Sequence, residues 1–280
     1  MRVLVVGGSG FLGREVARQS LAAGHQVAAT YLTRPADLAG TTWHAVDIRD
    51  RRRVADLVTE IEPDLVVNAA FQKADWTSSA DGAAHVAIAA ASMAARLVHV
   101  SSDAVFSGAA IRYDETSLPD PTTPYGAAKA AAETAIKAIS PTAVIARTSL
   151  IIGDGGSVHE RRVHALATGR ITDVLFTDDV RCPVHVADLA AALLELAASD
   201  HAGIHHIAGT DAVSRHELGT LIARRDGLDT AALPAGRRAD TNLPGPLDVR
   251  LDCAMTRQRL RTELRGAREF LGRRTVGAIE

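Results

Sequence analysis

Arg2-Val-Leu-Val-Val-Gly-Gly-Ser-Gly-Phe-Leu-Gly13 runs from an unbroken apolar segment into glycines spaced three residues apart, at Gly7, Gly10 and Gly13. Arg2–Val6 shows no polar alternation, the pattern of a parallel strand buried on both faces, and Phe11–Ala22 sets Leu12, Val16 and Leu21 along one helical stripe. The glycines therefore occupy a strand-to-helix turn. Gly7 permits the tight turn, Gly10 lets the backbone approach a pyrophosphate, and Gly13 lets the helix pack closely on the strand. The first N–H groups of that helix, at Phe11 and Leu12, are presented to anionic oxygens. This setting predicts dinucleotide binding rather than a purely structural turn.

Working outward, strand signals recur at 26–30, 43–46, 64–68, 96–100 and 143–146, separated by alanine-rich helical segments such as 81–95 and Pro124–Ile139. The pattern is α/β, a Rossmann-type doubly wound parallel sheet. Ligands of such sheets sit beyond the carboxyl ends of the strands, where Gly7, Thr30, Asp47, Asn68 and Ser101-Ser102 fall. After Arg147 the pattern loosens: 153–156 and 234–246 read as loops, and 186–198, 214–224 and 256–271 as helices. The expected division is a dinucleotide-binding domain over 1–150 and, over 151–280, mainly a smaller C-terminal substrate lobe with some return to the Rossmann sheet. The arginine-rich stretch 257–274 also carries Glu263 and Glu269 and reads as an exposed amphipathic helix.

The formal net charge of −2 over 280 residues gives no electrostatic case for nucleic acid or for an anionic membrane. No apolar stretch is long enough to span a bilayer, and the first strand starts at Arg2 with no room for a signal peptide, so a cytoplasmic protein is expected. Cys182 and Cys253, the only cysteines, lack metal-site spacing and read as reduced thiols. His201, His205 and His206 cluster without a carboxylate or cysteine at ligand spacing, so no metal site is predicted.

Tyr125 and Lys129 are four residues apart on a predicted helix, about 5–6 Å at Cβ, so the ammonium can lower the proton affinity of the phenol. Lys73, Lys129 and Lys137 are the only lysines, which makes a lysine at this position more informative. For the cofactor, an acidic residue after the second strand would hold the ribose 2′-hydroxyl of NAD. Thr30-Tyr-Leu-Thr-Arg34 has none and offers hydroxyls and a guanidinium suited to a 2′-phosphate. NADP(H) is expected, with NAD(H) the alternative.

Gly7-x-x-Gly10-x-x-Gly13, Asp47-Ile48, Asn68-Ala69-Ala70, Val100-Ser-Ser-Asp-Ala-Val-Phe106 and Tyr125-x-x-x-Lys129 occur in the order seen in extended short-chain dehydrogenases/reductases. The chain resembles most the dTDP-4-dehydrorhamnose reductase group. Arg147-Thr-Ser149, Asp178 to Pro183, Asp188-Leu-Ala190, 203–209 and 246–251 extend the resemblance over most of the chain. It implies that Ser102 hydrogen-bonds a substrate carbonyl, that Tyr125 donates the proton, and that Lys129 holds the nicotinamide ribose. It also implies that Asp47 and Ile48 flank the adenine and that Asn68, Ala69 and Ala70 run beside the cofactor riboses. Strand alternation aims Ser101 to the opposite face.

The implied activity is NADPH-dependent reduction of a nucleotide-linked 4-keto-6-deoxy sugar in carbohydrate biosynthesis, with that nucleotide sugar as partner and a homodimer as the assembly considered. An epimerase of the same superfamily and a non-catalytic NADP-binding regulatory subunit are the alternatives. Dehydration is disfavoured, because Ala104 replaces the glutamate that dehydratases carry. Departures from the reductase pattern cluster where the sugar is expected: Phe71-Gln-Lys-Ala-Asp-Trp76 is one residue shorter, Leu150 replaces a tryptophan, Ile152 a tyrosine, and Asp179-Val-Arg181 a Gln-x-Gly. His85 stands in place of an asparagine behind the active site, which puts a proton relay through that position in doubt.

Overall fold

The computed structural model describes residues 1–272. Strands β1 (Arg2–Val6), β2 (Gln26–Tyr31), β3 (Thr41–Ala45), β4 (Leu65–Asn68), β5 (Arg96–Ser102), β6 (Val144–Thr148) and β7 (Gly203–Ile207) form one sheet ordered β7-β6-β5-β4-β1-β2-β3. Every pairing in it is parallel. The chain winds one way through β1, β2 and β3 and the other through β4 to β7, so the crevice opens at the carboxyl ends of β1 and β4.

Around the sheet lie α1 (Phe11–Ala22), α2 (Arg51–Ile61), α3 (Gly82–Ser92), α4 (Pro124–Ile139), α5 (Val158–Ala167), α6 (Val186–Ala197), α7 (Arg215–Arg225), α8 (Ala254–Arg257) and α9 (Ala267–Gly272). One face buries Val3, Val5, Leu12, Val16, Leu189 and Leu193 under α1 and α6. The other buries Leu4, Val66, Leu97, Val58, Val86 and Ile136 under α2, α3 and α4. Each such fully buried aliphatic side chain contributes about 1.5–3 kcal/mol, which is why these strands read as continuous apolar runs. A third cluster, including Val163, Leu175, Leu218, Ile222 and Phe270, binds α5, α7 and α9 together. Among the described residues no helix is long and apolar enough to cross a membrane.

One expectation needs correcting. The stretch 256–271 is not one helix: α8 and α9 are separated because the intervening backbone gives its donors to side chains. Arg261 and Thr262 donate their N–H groups to Glu195, and Arg265 donates to Asp188, so the 4-residue ladder of a helix cannot form there. Residues 273 and 274 of the arginine-rich stretch lie outside the described residues. Within 203–209, Gly203–Ile207 forms β7 of the central sheet, with His205 and His206 fully buried.

Candidate active site

The crevice holds a cleft of about 290 Å³ lined by Gly7, Gly10, Thr30, Asp47, Ile48 and Ala70, together with Ser9, Tyr31, Ala69, Phe71, Gln72 and Ser78. Gly7 has φ +80°, and a Cβ there would stand 2.8 Å from the Ala70 backbone. A Cβ on Gly13 would lie 2.2 Å from the Gly7 carbonyl oxygen, so only glycine lets α1 settle on the turn. Gly10 precedes α1 without a side-chain cap, and no acidic residue occupies the first turn, which leaves the positive end of the helix open to an anion. Thr30 Oγ1 accepts from the Gly7 N–H at 2.9 Å and fixes the turn against β2.

Further along, Asp47 is gripped by Arg49, whose Nε lies 2.9 Å from Oδ2, and this hydrogen bond holds the carboxyl below its ordinary value. Arg49 also reaches Asp75 at 3.3 Å, tying the turn after β3 to the loop after β4. The ring of His85 meets the Ile48 carbonyl at 3.0 Å, so this histidine braces the cleft rim. Asn68 Oδ1 accepts from the Ala70 N–H, while its buried Nδ2 finds no partner among the described residues.

Other predicted contacts lie off the cleft lining. The Phe11 ring packs where a Cβ on Gly153 or Gly156 would fall, and Leu12 enters the core. Arg34 is exposed on the chain after β2. The residues present fit a dinucleotide: the cleft offers a glycine cradle and an uncapped helix start.

Ser102, Tyr125 and Lys129 come together at the end of β5. Thr123 caps α4 by accepting from the Gly126 N–H, with Pro124 in the first turn, so the helix begins at a fixed place. A Cβ on Gly126 would fall 2.0 Å from the Ala104 carbonyl oxygen. That close seat lets the Tyr125 and Ser102 hydroxyls hydrogen-bond each other. Ser102 Oγ also donates to Asp103 Oδ1 at 3.2 Å and accepts from the Ala104 N–H. Ser101, on the other side of the strand, donates to Glu133 at 2.6 Å. Lys129 Nζ donates to the Val100 carbonyl at 2.9 Å and lies 5.8 Å from the centre of the Phe71 ring, which itself tilts against Tyr125 at 6.0 Å.

The electrostatics differ from the simple spacing argument. Burial pushes the Tyr125 phenol above its ordinary value, the Ser102 hydrogen bond opposes that, and Asp103 reinforces it. Burial likewise pushes Lys129 down to about 8, partly offset by Glu133 one turn along. In this arrangement the ammonium is engaged by the Val100 carbonyl, and the phenol is a guarded proton donor rather than a phenolate.

Sequence reasoning did not foresee the ion network beside Ser102. Asp103 accepts from Ser149 at 2.7 Å and stands 3.7 Å from Arg181. Asp179 draws Arg181 to 2.9 Å, Arg238 to 3.1 Å and Arg215 to 3.4 Å. Behind α4, Arg147 and Glu133 form a buried pair at 2.8 Å. Asp103, Arg147 and Ser149 lay in segments of the family resemblance, and Asp179 and Arg181 in a departure from Gln-x-Gly, but nothing in the sequence joined them. His206 turns to Arg147 at 3.5 Å while His201 and His205 rings stand 6.3 Å apart. Cys182 and Cys253, distant in sequence, line a second cleft of about 100 Å³, and burial pushes their thiols up to about 11 and about 12.

The chain matches the family described as RmlD substrate binding domain over residues 1–275. It belongs to that family, within the extended short-chain dehydrogenases/reductases. Among relatives, spore coat polysaccharide biosynthesis protein SpsK of Bacillus subtilis (strain 168) is 32% identical over 243 residues, covering 83% of this chain and 82% of that one. The dTDP-4-dehydrorhamnose reductase of Mycolicibacterium smegmatis is 31% identical over 287 residues, covering 96% and 84%. The crystal structure of the Bacillus anthracis str. Ames dTDP-4-dehydrorhamnose reductase in complex with NADP superposes with a TM-score of 0.85 at 23% identity over 98% of each chain, a likeness of fold.

Proposed function

We propose that this RmlD-family chain is an NADPH-dependent reductase of a nucleotide-linked 4-keto-6-deoxy sugar. The observation that carries the reading is the contact of the Ser102 and Tyr125 hydroxyls, with Lys129 one turn away and Phe71, which lines the glycine-turn cleft, against Tyr125. The relative from M. smegmatis, named for reduction of dTDP-4-dehydrorhamnose, supports the substrate class. The structure with NADP supports the cofactor, as does the lack of an acidic side chain at the end of β2.

NADPH, when bound, supplies hydride to the carbonyl carbon. Every other part of the reaction falls to the chain. Ser102 orients the carbonyl oxygen by hydrogen bond, and Tyr125, protonated because it is buried, delivers a proton to that oxygen as negative charge develops. A placed general acid of this kind typically contributes about 10²–10⁴-fold. Lys129 keeps a positive charge beside the phenol, and the Phe71 ring packs beside both. Gly7, Gly10 and the start of α1 would hold the cofactor pyrophosphate, with Asp47 and Ile48 at the adenine and Asn68 to Ala70 along the riboses.

The test is NADPH oxidation with a panel of 4-keto sugars linked to TDP, UDP or GDP. Turnover with at least one is expected. NADPH binding without oxidation of any of them would contradict the reading and favour a regulatory role.

A further inference from the structure

On the face of the sheet that carries α3 and α4, the fold brings together three buried polar side chains, Asn68, His99 and Lys129. In β5, Leu97 packs with the α3 and α4 cluster while Val98 and Val100 pack under α1 and α6. His99 therefore faces α3 and α4, as does Ser101, whose hydroxyl reaches Glu133 of α4. Asn68 is the register partner of His99 in the β4–β5 ladder, and Val66, two residues earlier, belongs to the same cluster as Leu97. The two side chains are thus neighbours at the strand spacing of about 4.8 Å. Lys129 enters from α4 and anchors on the carbonyl of Val100, the residue after His99.

All three are buried: His99 is 0% exposed, Asn68 1% and Lys129 3%. Asn68 Nδ2 and both ring nitrogens of His99 have no hydrogen-bond partner among the described residues. Burial, then the charge of Lys129, holds His99 well below its ordinary value, so its ring is neutral with one donor and one acceptor. Leaving a buried polar group unpaired costs about 1–3 kcal/mol. Polar groups in that position are ordinarily joined by an internal water making about three hydrogen bonds. Lys129 has three N–H donors and spends one on Val100.

We infer that Asn68, His99 and Lys129 enclose a buried water, and that His99 acts through this water as a positioning residue holding the Lys129 ammonium toward Tyr125. The inference rests on the reductase reading only for the purpose of that positioning; the water site stands apart from it. The charged and titratable groups facing Lys129 are Glu133 and Tyr125 from α4 and His99 from β5, with the Phe71 ring from the loop after β4. Removing the water takes away a partner of the ammonium, so the titration of Lys129 must move down in pH. A hydrogen bond to a charged group is worth about 1.5–3 kcal/mol, or roughly one pH unit or more.

The experiment uses full-length protein labelled at the lysine Cε carbon, which gives signals only from Lys73, Lys129 and Lys137. In His99→Leu the Lys129 midpoint is expected to fall by about one pH unit from its wild-type value, and in His99→Gln, which retains a donor and an acceptor, to return toward it. A crystal structure of the wild-type chain is expected to show a water touching Asn68 Nδ2 and the His99 ring. If His99→Leu does not fold, His99→Gln and that crystal structure carry the test. An unmoved Lys129 midpoint in folded His99→Leu, or no water between the two side chains, overturns the inference. Both readouts are independent of turnover, so a chain that oxidises no keto sugar refutes the reductase reading without touching this result.

Discussion

The glycine end of the site, which forms the cleft, is shaped by main chain, whereas the Ser102 end is set by charged side chains drawn from distant segments. Gly7, Gly10 and Gly13 act through what a Cβ would strike, and the polar ties of the turn to Thr30, from the Gly7 and Ser9 N–H groups, are neutral. At the other end Asp103 and Asp179 gather Arg181, Arg215 and Arg238 from separate parts of the chain. The first end is a rigid surface suited to a phosphate-bearing constant ligand. The second is a set of compensated charges whose geometry depends on every partner, and it borders the region where this chain departs from the reductase pattern.

Several substitutions separate the two ends. Asp179→Asn should have the largest effect on stability, because it strands buried arginines: breaking such a pair costs about 3–5 kcal/mol, or roughly 6–20 °C in melting temperature. A calorimetric shift smaller than that of a glycine-turn variant would break the contrast. Gly13→Ala comes next. Its methyl would meet a backbone carbonyl that has nowhere to go, so we expect a loss of about 1–3 kcal/mol together with weakened NADPH binding. Fluorescence titration showing wild-type affinity would mean the turn does not hold the cofactor.

Lys129 gives a prediction in pH. Its pKa is lowered from 10.5 to about 8, so the ammonium beside Tyr125 is lost as pH rises through about 8 and reduction should decline above it. The sign for folding is opposite. Between about 8 and 10.5 the unfolded chain holds a proton that the folded chain has released, so the Lys129 contribution to stability rises with pH over that window. A flat rate profile through this range would contradict the role given to Lys129. The smallest effect is expected from Arg34→Ala, an exposed site. Stability should change by no more than about 0.5 kcal/mol, while the ratio of kcat/KM for NADPH over NADH falls about tenfold. An unchanged ratio would remove Arg34 from cofactor selection.

The glycine end was legible because its requirements are local. Gly7 and Gly13 act within seven residues of each other, and Phe11–Ala22 and Pro124–Ile139 appear with the bounds their apolar stripes and caps suggest. The β5 alternation also sent Ser101 to Glu133 and left Ser102 for Tyr125. What spacing could not show is environment. Burial reverses the expected shift of Tyr125, and no local pattern announces that Arg238 meets Asp179 or that His85 turns to Ile48. The break between α8 and α9 has the same origin, in carboxylates of α6 that a sequence window over 256–271 does not contain.

The central claim is that the Tyr125 hydroxyl, set by Ser102, delivers the proton that completes a carbonyl reduction. Single-turnover NADPH oxidation with a reactive 4-keto sugar nucleotide, comparing wild type with Tyr125→Phe at matched cofactor occupancy, tests it directly. The account predicts a rate lowered by about 10²–10⁴-fold with NADPH affinity retained. A near wild-type rate in Tyr125→Phe would contradict it.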